Sequence, residues 1–475
     1  MLFDSFPSVA AIDSLRDVQH GVYWLDDPTN AALRPAPREA VRGVEKADLL
    51  IVGAGFSGLW AALLAQEQHP NWRIVLAEGG RIANAATGRN GGFVSASLTH
   101  GFVNGLARWP NELAQLLRMG QQNLAAIEEF VAYYQISCDF HRAGEIDVAV
   151  EEHQIGAFQK ALLHMAEFGL DVSLLDQNAV RERVNSPTYL AGLFDPDVAL
   201  VDPARLAWGL AAQAIASGVS VFENSPVTSL RNQGSSVLAV TPLGAINARK
   251  VVLATNAFPP LLKRISSFTI PVYDYVLVTE PLSDEQRRSI GWQAREGLSD
   301  SGNQFHYYRT TADGRILWGG YDASYYSKEP FSWANENSPG SHLRLARHFF
   351  QTFPQLEGLR FEYAWGGAID TCSRFTAYWG MAHQNKTAYV SGYTGLGVGA
   401  SRFAAQVMLD LLTGERTERT ELSMVRSKPI PFPPEPIRSL GISITQKSLQ
   451  AADANGGKRN LWLRALDSVG MGFDS

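Results

Sequence analysis

The apolar positions of the chain fall into two kinds of run. The first kind is continuous. Asp48 to Gly53 (DLLIVG), Arg73 to Glu78 (RIVLAE), Lys250 to Ala254 (KVVLA) and Thr387 to Gly392 (TAYVSG) show no alternation. This is the pattern of short parallel strands buried on both faces. Gly58 to Gln68 lies between the first two and reads as a helix. Together they make a strand–turn–helix–strand unit of about 30 residues. Apolar residues at mixed three and four spacing predict a mostly helical middle to about Gly169. Asp202-Pro203 opens a helix over Ala204 to Ser217, with proline in its first turn. Strands follow at Val219 to Glu223 and Val227 to Leu230. The second kind of run alternates. From Ile270 to about Trp365 come YDYVLVTE, FHYYRTT and RILWGGY, rich in aromatics. These predict an antiparallel sheet with one solvated or ligand-facing side. A helix to about Leu412 follows the last buried strand. The segment from Pro429 is proline-rich (PIPFPPEP) and then helical again.

Parallel-type segments thus flank an antiparallel insertion, an α/β (α+β) design with discontinuous domains. The expected division is an N-terminal arm over 1–47 and dinucleotide-binding pieces at 48–100, 201–262 and 366–415. A helical substrate-domain piece spans 101–200, the antiparallel sheet 263–365, and a C-terminal helical extension 416–475.

Composition narrows the function. The 475 residues suit two or three domains, and 45% are hydrophobic, enough for a large core. Lys+Arg 41 against Asp+Glu 47 gives a net charge of -6, which argues against a nucleic-acid partner. Cys138 and Cys372 are the two cysteines, so no disulfide framework or Cys-rich zinc site is expected. His100, His141 and His164 lack a metal-ligand spacing, and no metal is assigned. The start carries acidic residues and no basic or apolar signal region, so a cytoplasmic location is expected. Leu49 to Ala65 is uncharged, about 17 residues, the lower limit for a membrane span. Its three glycines instead favour a strand, a tight turn and a helix, and no span is expected.

Those glycines are Gly53, Gly55 and Gly58 in GAGFSG. The first permits the tight turn, the second lets the backbone approach a diphosphate, and the third lets helix and strand pack closely. The helix N-terminus then faces the diphosphate with about half a positive charge. Glu78 ends the next strand about twenty residues on, where a carboxylate accepts the ribose hydroxyls of an adenosine. It argues against a 2′-phosphate. Thr87-Gly88-Arg89-Asn90-Gly91-Gly92 is a second glycine-rich loop, able to lie against a diphosphate and a planar ring. Gly392 to Gly399 (GYTGLGVG) follows a buried strand and opens a helix, a second N-terminus for an anionic ring system.

On these motifs the sequence resembles the D-amino-acid oxidase-type family of FAD-dependent oxidoreductases, and within it the gamma-glutamylputrescine oxidase-like branch. Tyr23-Trp24-Leu25, IVGAGFSGLWAA, TGRNGG, LVDPARLAWGL, VVLATNAF, YYRTTADGRILWGG, WGGAID and VSGYTGLGVG carry the resemblance, from about residue 23 to 414. It implies a Rossmann-type FAD-binding domain with an interleaved antiparallel-sheet substrate domain. Gly53, Gly55, Phe56, Ser57 and Gly58 would hold the FAD diphosphate, with Glu78 and Gly79 at the adenosine ribose. Thr87, Gly88, Arg89, Asn90, Gly91 and Gly92 would run past the flavin. Val227 would hold the adenine through its backbone, and Ala254 and Thr255 would lie near the diphosphate. Gly395, Leu396, Gly397 and Val398 would present backbone N–H groups to the pyrimidine end of the flavin. Leu396 stands where the branch more often has a His. Cys372 does not sit clearly where relatives attach flavin covalently, so non-covalent FAD is expected.

The implied reaction is hydride transfer from the α-carbon of a small-molecule amine to flavin N5. The imine is hydrolysed to an aldehyde and an amine or ammonia, and dioxygen or another acceptor takes the electrons, giving H2O2 with dioxygen. The flavin carries the chemistry, so no catalytic triad is required. On the HYYR strand Tyr307 and Arg309 share one face, and this pair is expected to meet the substrate. In WGGAID, Ile369 stands where amino-acid oxidases have a carboxylate-clamping Arg, and Asp370 follows. An aspartate favours an ammonium. An amine without a carboxylate on its reacting carbon is therefore expected. The alternatives are an amino-acid or N-methyl-amino-acid oxidase, a dehydrogenase with a quinone or protein acceptor, and a flavoprotein whose FAD is structural.

Overall fold

A computed structural model describes residues 3, 9–468 and 470–471 of the chain. Two sheets organise it. The first has eight strands around a parallel core. Gly43–Val52 lies at its centre, flanked by Ile74–Ala77 and by Gly244–Leu253, with Val52 level with Ala77 and Leu253. Ser220–Phe222 extends the sheet beyond Ile74–Ala77, and Thr387–Ser391 pairs parallel with the end of Gly244–Leu253. All four residues of Ile74–Ala77 are buried. That is why the strand reads as an unbroken apolar run: helices and a second layer cover both faces. The helix Phe56–Gln68 packs on one face against Pro203–Ala216 and Gly397–Thr413. The central strand begins at Gly43, earlier than its apolar run, because its first half pairs in register with the first half of Gly244–Leu253.

The second sheet has nine strands. Phe361–Thr371, Ile270–Thr279, Ile316–Gly320, His306–Thr310 and Gly297–Asp300 pair antiparallel in that order. Glu145–Ala149 then joins Gly297–Asp300 in parallel, and Ala191–Asp195 and Ser173–Leu175 complete that edge. The helix Pro339–Thr352 covers one face, burying Leu345, Ala346, Phe349 and Phe350 against Trp318 and Tyr308. The opposite face floors a cavity.

The middle segment is only partly helical. Leu113–Tyr133 and Glu152–Glu167 are helices, but Glu145–Ala149 is a strand. Its sequence alternates acidic and apolar residues, EIDVA, because one side faces the cavity and the other the core. Beyond the Pro-rich stretch, the helices Ile437–Ala454 and Leu461–Ser468 fold back across the cavity. Among the described residues no helix is long and apolar enough to cross a membrane.

Candidate functional site

The turn after the central strand is built around absent side chains. Gly53 has φ +103, and a Cβ there would lie 2.5 Å from the Ala254 carbonyl oxygen. A Cβ on Gly58 would lie 1.9 Å from the Gly53 carbonyl oxygen. No side chain larger than hydrogen lets the helix start so close to the strand. Gly55 caps Phe56–Gln68 with no side-chain hydrogen bond, so the end of that helix is open to an anion.

Glu78 closes the turn. Its Oε2 accepts from Ala54 N at 2.7 Å and its Oε1 from Gly80 N at 2.9 Å. Each oxygen keeps a lone pair for a ribose hydroxyl. Burial pushes this carboxyl above its ordinary value. Thr87 joins the two glycine-rich loops, its Oγ1 accepting from Phe56 N at 3.2 Å. The loop after Thr87 is fixed by its neighbours. The Asn90 side-chain amide donates to Ala86 O and Thr87 O, and its carbonyl accepts from Gly92 N. Trp24 and Trp365 donate their indole N–H to the carbonyls of Asn90 and Arg89, each at 2.9 Å. Arg89 pairs with Glu336 under Trp333.

These elements line one end of a cavity of about 1570 Å³. Gly53, Gly55, Phe56, Ser57, Glu78, Gly79, Thr87, Arg89, Asn90, Gly91, Val227, Ala254, Thr255 and Gly395 to Val398 all reach its surface. Gly58, Gly88 and Gly92 do not; they lie behind it. Gly397–Thr413 also starts without a side-chain cap, its N-terminus open towards the cavity. The volume exceeds the roughly 300–1,000 Å³ of a single-ligand pocket, and the cavity runs on over the second sheet. The cradle, the acceptor pair on Glu78 and the two uncapped helix ends fit a dinucleotide with a ring system at the far side.

On the sheet floor, neighbouring strands place Gly319, Tyr307, Ser299 and Asp147 in one row. The Tyr307 ring lies beneath Gly91, and its hydroxyl donates to Asp274 at 2.6 Å. Burial raises the Asp274 carboxyl to about 6, against the opposing pull of that hydrogen bond. Further along the floor stand Glu145, Asp147 and Asp195. Ser299 donates to Asp147, and Glu145 lies directly opposite Asp195. Burial and mutual repulsion hold Glu145 at about 8 and Asp195 at about 6. The lining arginines are engaged: Arg81 pairs with Glu223, Arg89 with Glu336, and Arg438 donates to Pro433 O.

Arg309 leaves Tyr307 here. It is fully buried, outside the cavity surface, and donates to Val201 O at 2.7 Å and Gly92 O at 3.4 Å. Asp139 lies 3.6 Å from it, and Trp24 lies under its guanidinium. The strand face was legible, but between that face and the cavity stands the backbone that Arg309 ties down. Asp370 reaches the cavity surface while its Oδ2 accepts from Gly392 N at 2.5 Å. Burial raises it to about 6. It orders the turn before Gly395. The Cys372 thiol is buried, donates to Thr376 O at 3.1 Å and is pushed up by burial. A thiol so held stays protonated.

Asp274, Glu145, Asp147 and Asp195 were not singled out in the sequence. The signal was there: an acidic residue inside an apolar alternating strand has to face something other than the core.

The family model described as FAD dependent oxidoreductase (DAO) matches residues 48–411. Gamma-glutamylputrescine oxidoreductase of Escherichia coli is 30% identical over 394 residues, 81% of this chain and 88% of that protein. The probable oxidoreductase OrdL of Haemophilus influenzae is 28% identical over 390 residues, 78% of this chain and 84% of that protein. Among solved structures, glycine oxidase from Geobacillus kaustophilus superposes with a TM-score of 0.67 at 17% identity, over 81% of this chain and 99% of that one. At that identity the likeness speaks for the fold.

Proposed function

The chain belongs to the DAO family of FAD-dependent oxidoreductases, and from that premise we propose that it is an oxidase of amines that carry no carboxylate on the reacting carbon. The observation that carries this reading is the charge of the cavity beyond the flavin cradle. Asp147, Asp195 and Asp274 line it, Asp195 and Asp274 ionised above about pH 6, while its arginines are already paired or bonded. A carboxylate on the reacting carbon would meet repulsion there, and an ammonium attraction. The name of the Escherichia coli relative, gamma-glutamylputrescine oxidoreductase, specifies an amine of this kind.

Bound FAD supplies the two-electron acceptor. The rest falls to this chain. Gly53 to Ser57, Glu78 and Thr87 would hold the cofactor, and Arg89 to Gly91 with Gly395 to Val398 would lie along its ring system. Tyr307 and Asp274 meet the reacting nitrogen: ionised Asp274 attracts the ammonium, and the Tyr307 hydroxyl orients it. The bound ammonium releases a proton to solvent and reacts as the free base. Its α-carbon loses hydrogen with the bonding pair, the nitrogen loses a proton, and the C=N bond forms. Water then splits the imine into an aldehyde and an amine or ammonia. Dioxygen takes the two electrons with two protons to give H2O2. Arg309, tied to Gly92 and Val201, is a positioning residue in this reading.

The test is an anaerobic absorbance titration of the yellow protein with alkylamines, α,ω-diamines, gamma-glutamyl amines and α-amino acids. Bleaching by amines, with one peroxide per turnover on admitting air, supports the proposal. Bleaching only by α-amino acids overturns it, and bleaching without peroxide moves the acceptor from dioxygen to another partner.

A further inference from the structure

The outer wall of the cavity comes from a segment beyond the family match, which ends at residue 411. In the helix Ile437–Ala454, Arg438, Ile442, Thr445 and Leu449 reach the cavity at three- and four-residue spacing, one continuous stripe. Trp462 and Leu466 of the next helix join them. The two helices share a small cluster of Leu449, Ala452 and Leu463, separate from the main cores. Polar clamps hold the pair to the sheet. Asp453 accepts from the backbone N–H groups of Asn303 and Gln304 at 3.1 and 3.2 Å. Gln446 donates to Ala323 O, and Tyr325 to Glu435 at 2.6 Å. Both sheet loops so clamped also line the cavity.

We infer that this helical pair is a specificity-determining wall of the substrate site, selecting amines whose non-reacting part is an extended hydrocarbon body. The inference rests on the amine reading above. The acidic floor receives positive charge, and the facing wall offers Ile442, Leu449 and Trp462. An amine lying between them presents charge to one side and methylenes to the other. The same wall covers part of the cavity that holds the cradle, and its polar clamps part more easily than a packed core would.

Two measurements on the FAD-loaded protein test this. Acrylamide quenching of flavin emission reads the cover: it rises several-fold in Asp453→Ala, which lacks the clamp on Asn303 and Gln304. Titration of flavin absorbance with propylamine, hexylamine and octylamine reads the wall: affinity rises about fourfold per buried methylene. Ile442→Ala weakens octylamine severalfold and leaves propylamine unchanged, whereas Ile442→Trp excludes octylamine. Unchanged quenching in Asp453→Ala overturns the inference, as does a chain-length dependence indifferent to Ile442. If no amine alters the flavin spectrum, the amine reading falls, and quenching still shows whether these helices cover the cavity.

Discussion

Asp274 carries the sharpest consequence at the scale of single residues. Its carboxyl is raised to about 6 by burial, so it is ionised above that pH and neutral below it. Attraction for an ammonium is therefore lost as pH falls through 6. We expect kcat/KM for the amine to drop about a further tenfold per pH unit on that side, beyond the slope set by the amine's own protonation. In Asp274→Asn the break near pH 6 should vanish along with most of the affinity, leaving the amine's own slope, read from a pH profile of both proteins. Glu145 acts on stability. Its folded carboxyl, at about 8, is raised above the unfolded value. Such a group contributes stability below its unfolded pKa that is lost as pH rises through the folded one. The thermal midpoint should therefore fall between about pH 4.5 and about pH 8 and level off above, and Glu145→Gln should flatten that fall without changing the midpoint at about pH 4. Arg309→Met separates two roles. Loss of its bonds to Val201 and Gly92 should lower FAD occupancy, with preference between amines and amino acids unchanged in the loaded fraction. A selective loss of carboxylated substrates would make Arg309 a substrate clamp.

At the scale of elements, the glycine turn has the least tolerance. Gly58→Ala would put a methyl carbon 1.9 Å from the Gly53 carbonyl oxygen. Helix and strand would have to separate, at a cost of about 1–3 kcal/mol or more. The variant should purify colourless or bind FAD far more weakly, measured by bound flavin per chain. This turn was legible because its chemistry is local: three glycines, a strand before and a helix after. The parallel strands were legible because burial on both faces leaves an unbroken apolar run. Glu145–Ala149 was not, because half its residues face the cavity and imitate a polar helical segment. Strand alternation placed Tyr307 and Arg309 on one face, but not the Gly92 and Val201 backbone between Arg309 and the cavity. The role of the C-terminal helices was equally hidden, since nothing local to residues 437–468 encodes which loops they clamp.

Across the whole molecule, cofactor and fold are thermodynamically joined. The cradle draws on residues from 53 to 398, including two helix N-termini and the half-buried Glu78. FAD at a hundred times its dissociation constant should stabilise the chain by about 2.7 kcal/mol. Apo and holo midpoints should separate accordingly in thermal denaturation, and the difference should shrink in Gly58→Ala.

The central sheet interleaves strands near residues 50, 75, 221, 252 and 389. Synthesis on the ribosome proceeds at roughly 5–20 residues per second. The GAGFSG turn thus emerges long before Gly397, and the flavin end of the cradle waits roughly 17–70 s for its last wall. A nascent chain arrested before Thr387 lacks the strand and helix that complete the site, so flavin loading belongs to the finished polypeptide. Until then the end of that strand, Val251 to Leu253, lacks the partner that Thr387–Ser391 supplies, and chaperones that shield unpaired strands have their widest opportunity there.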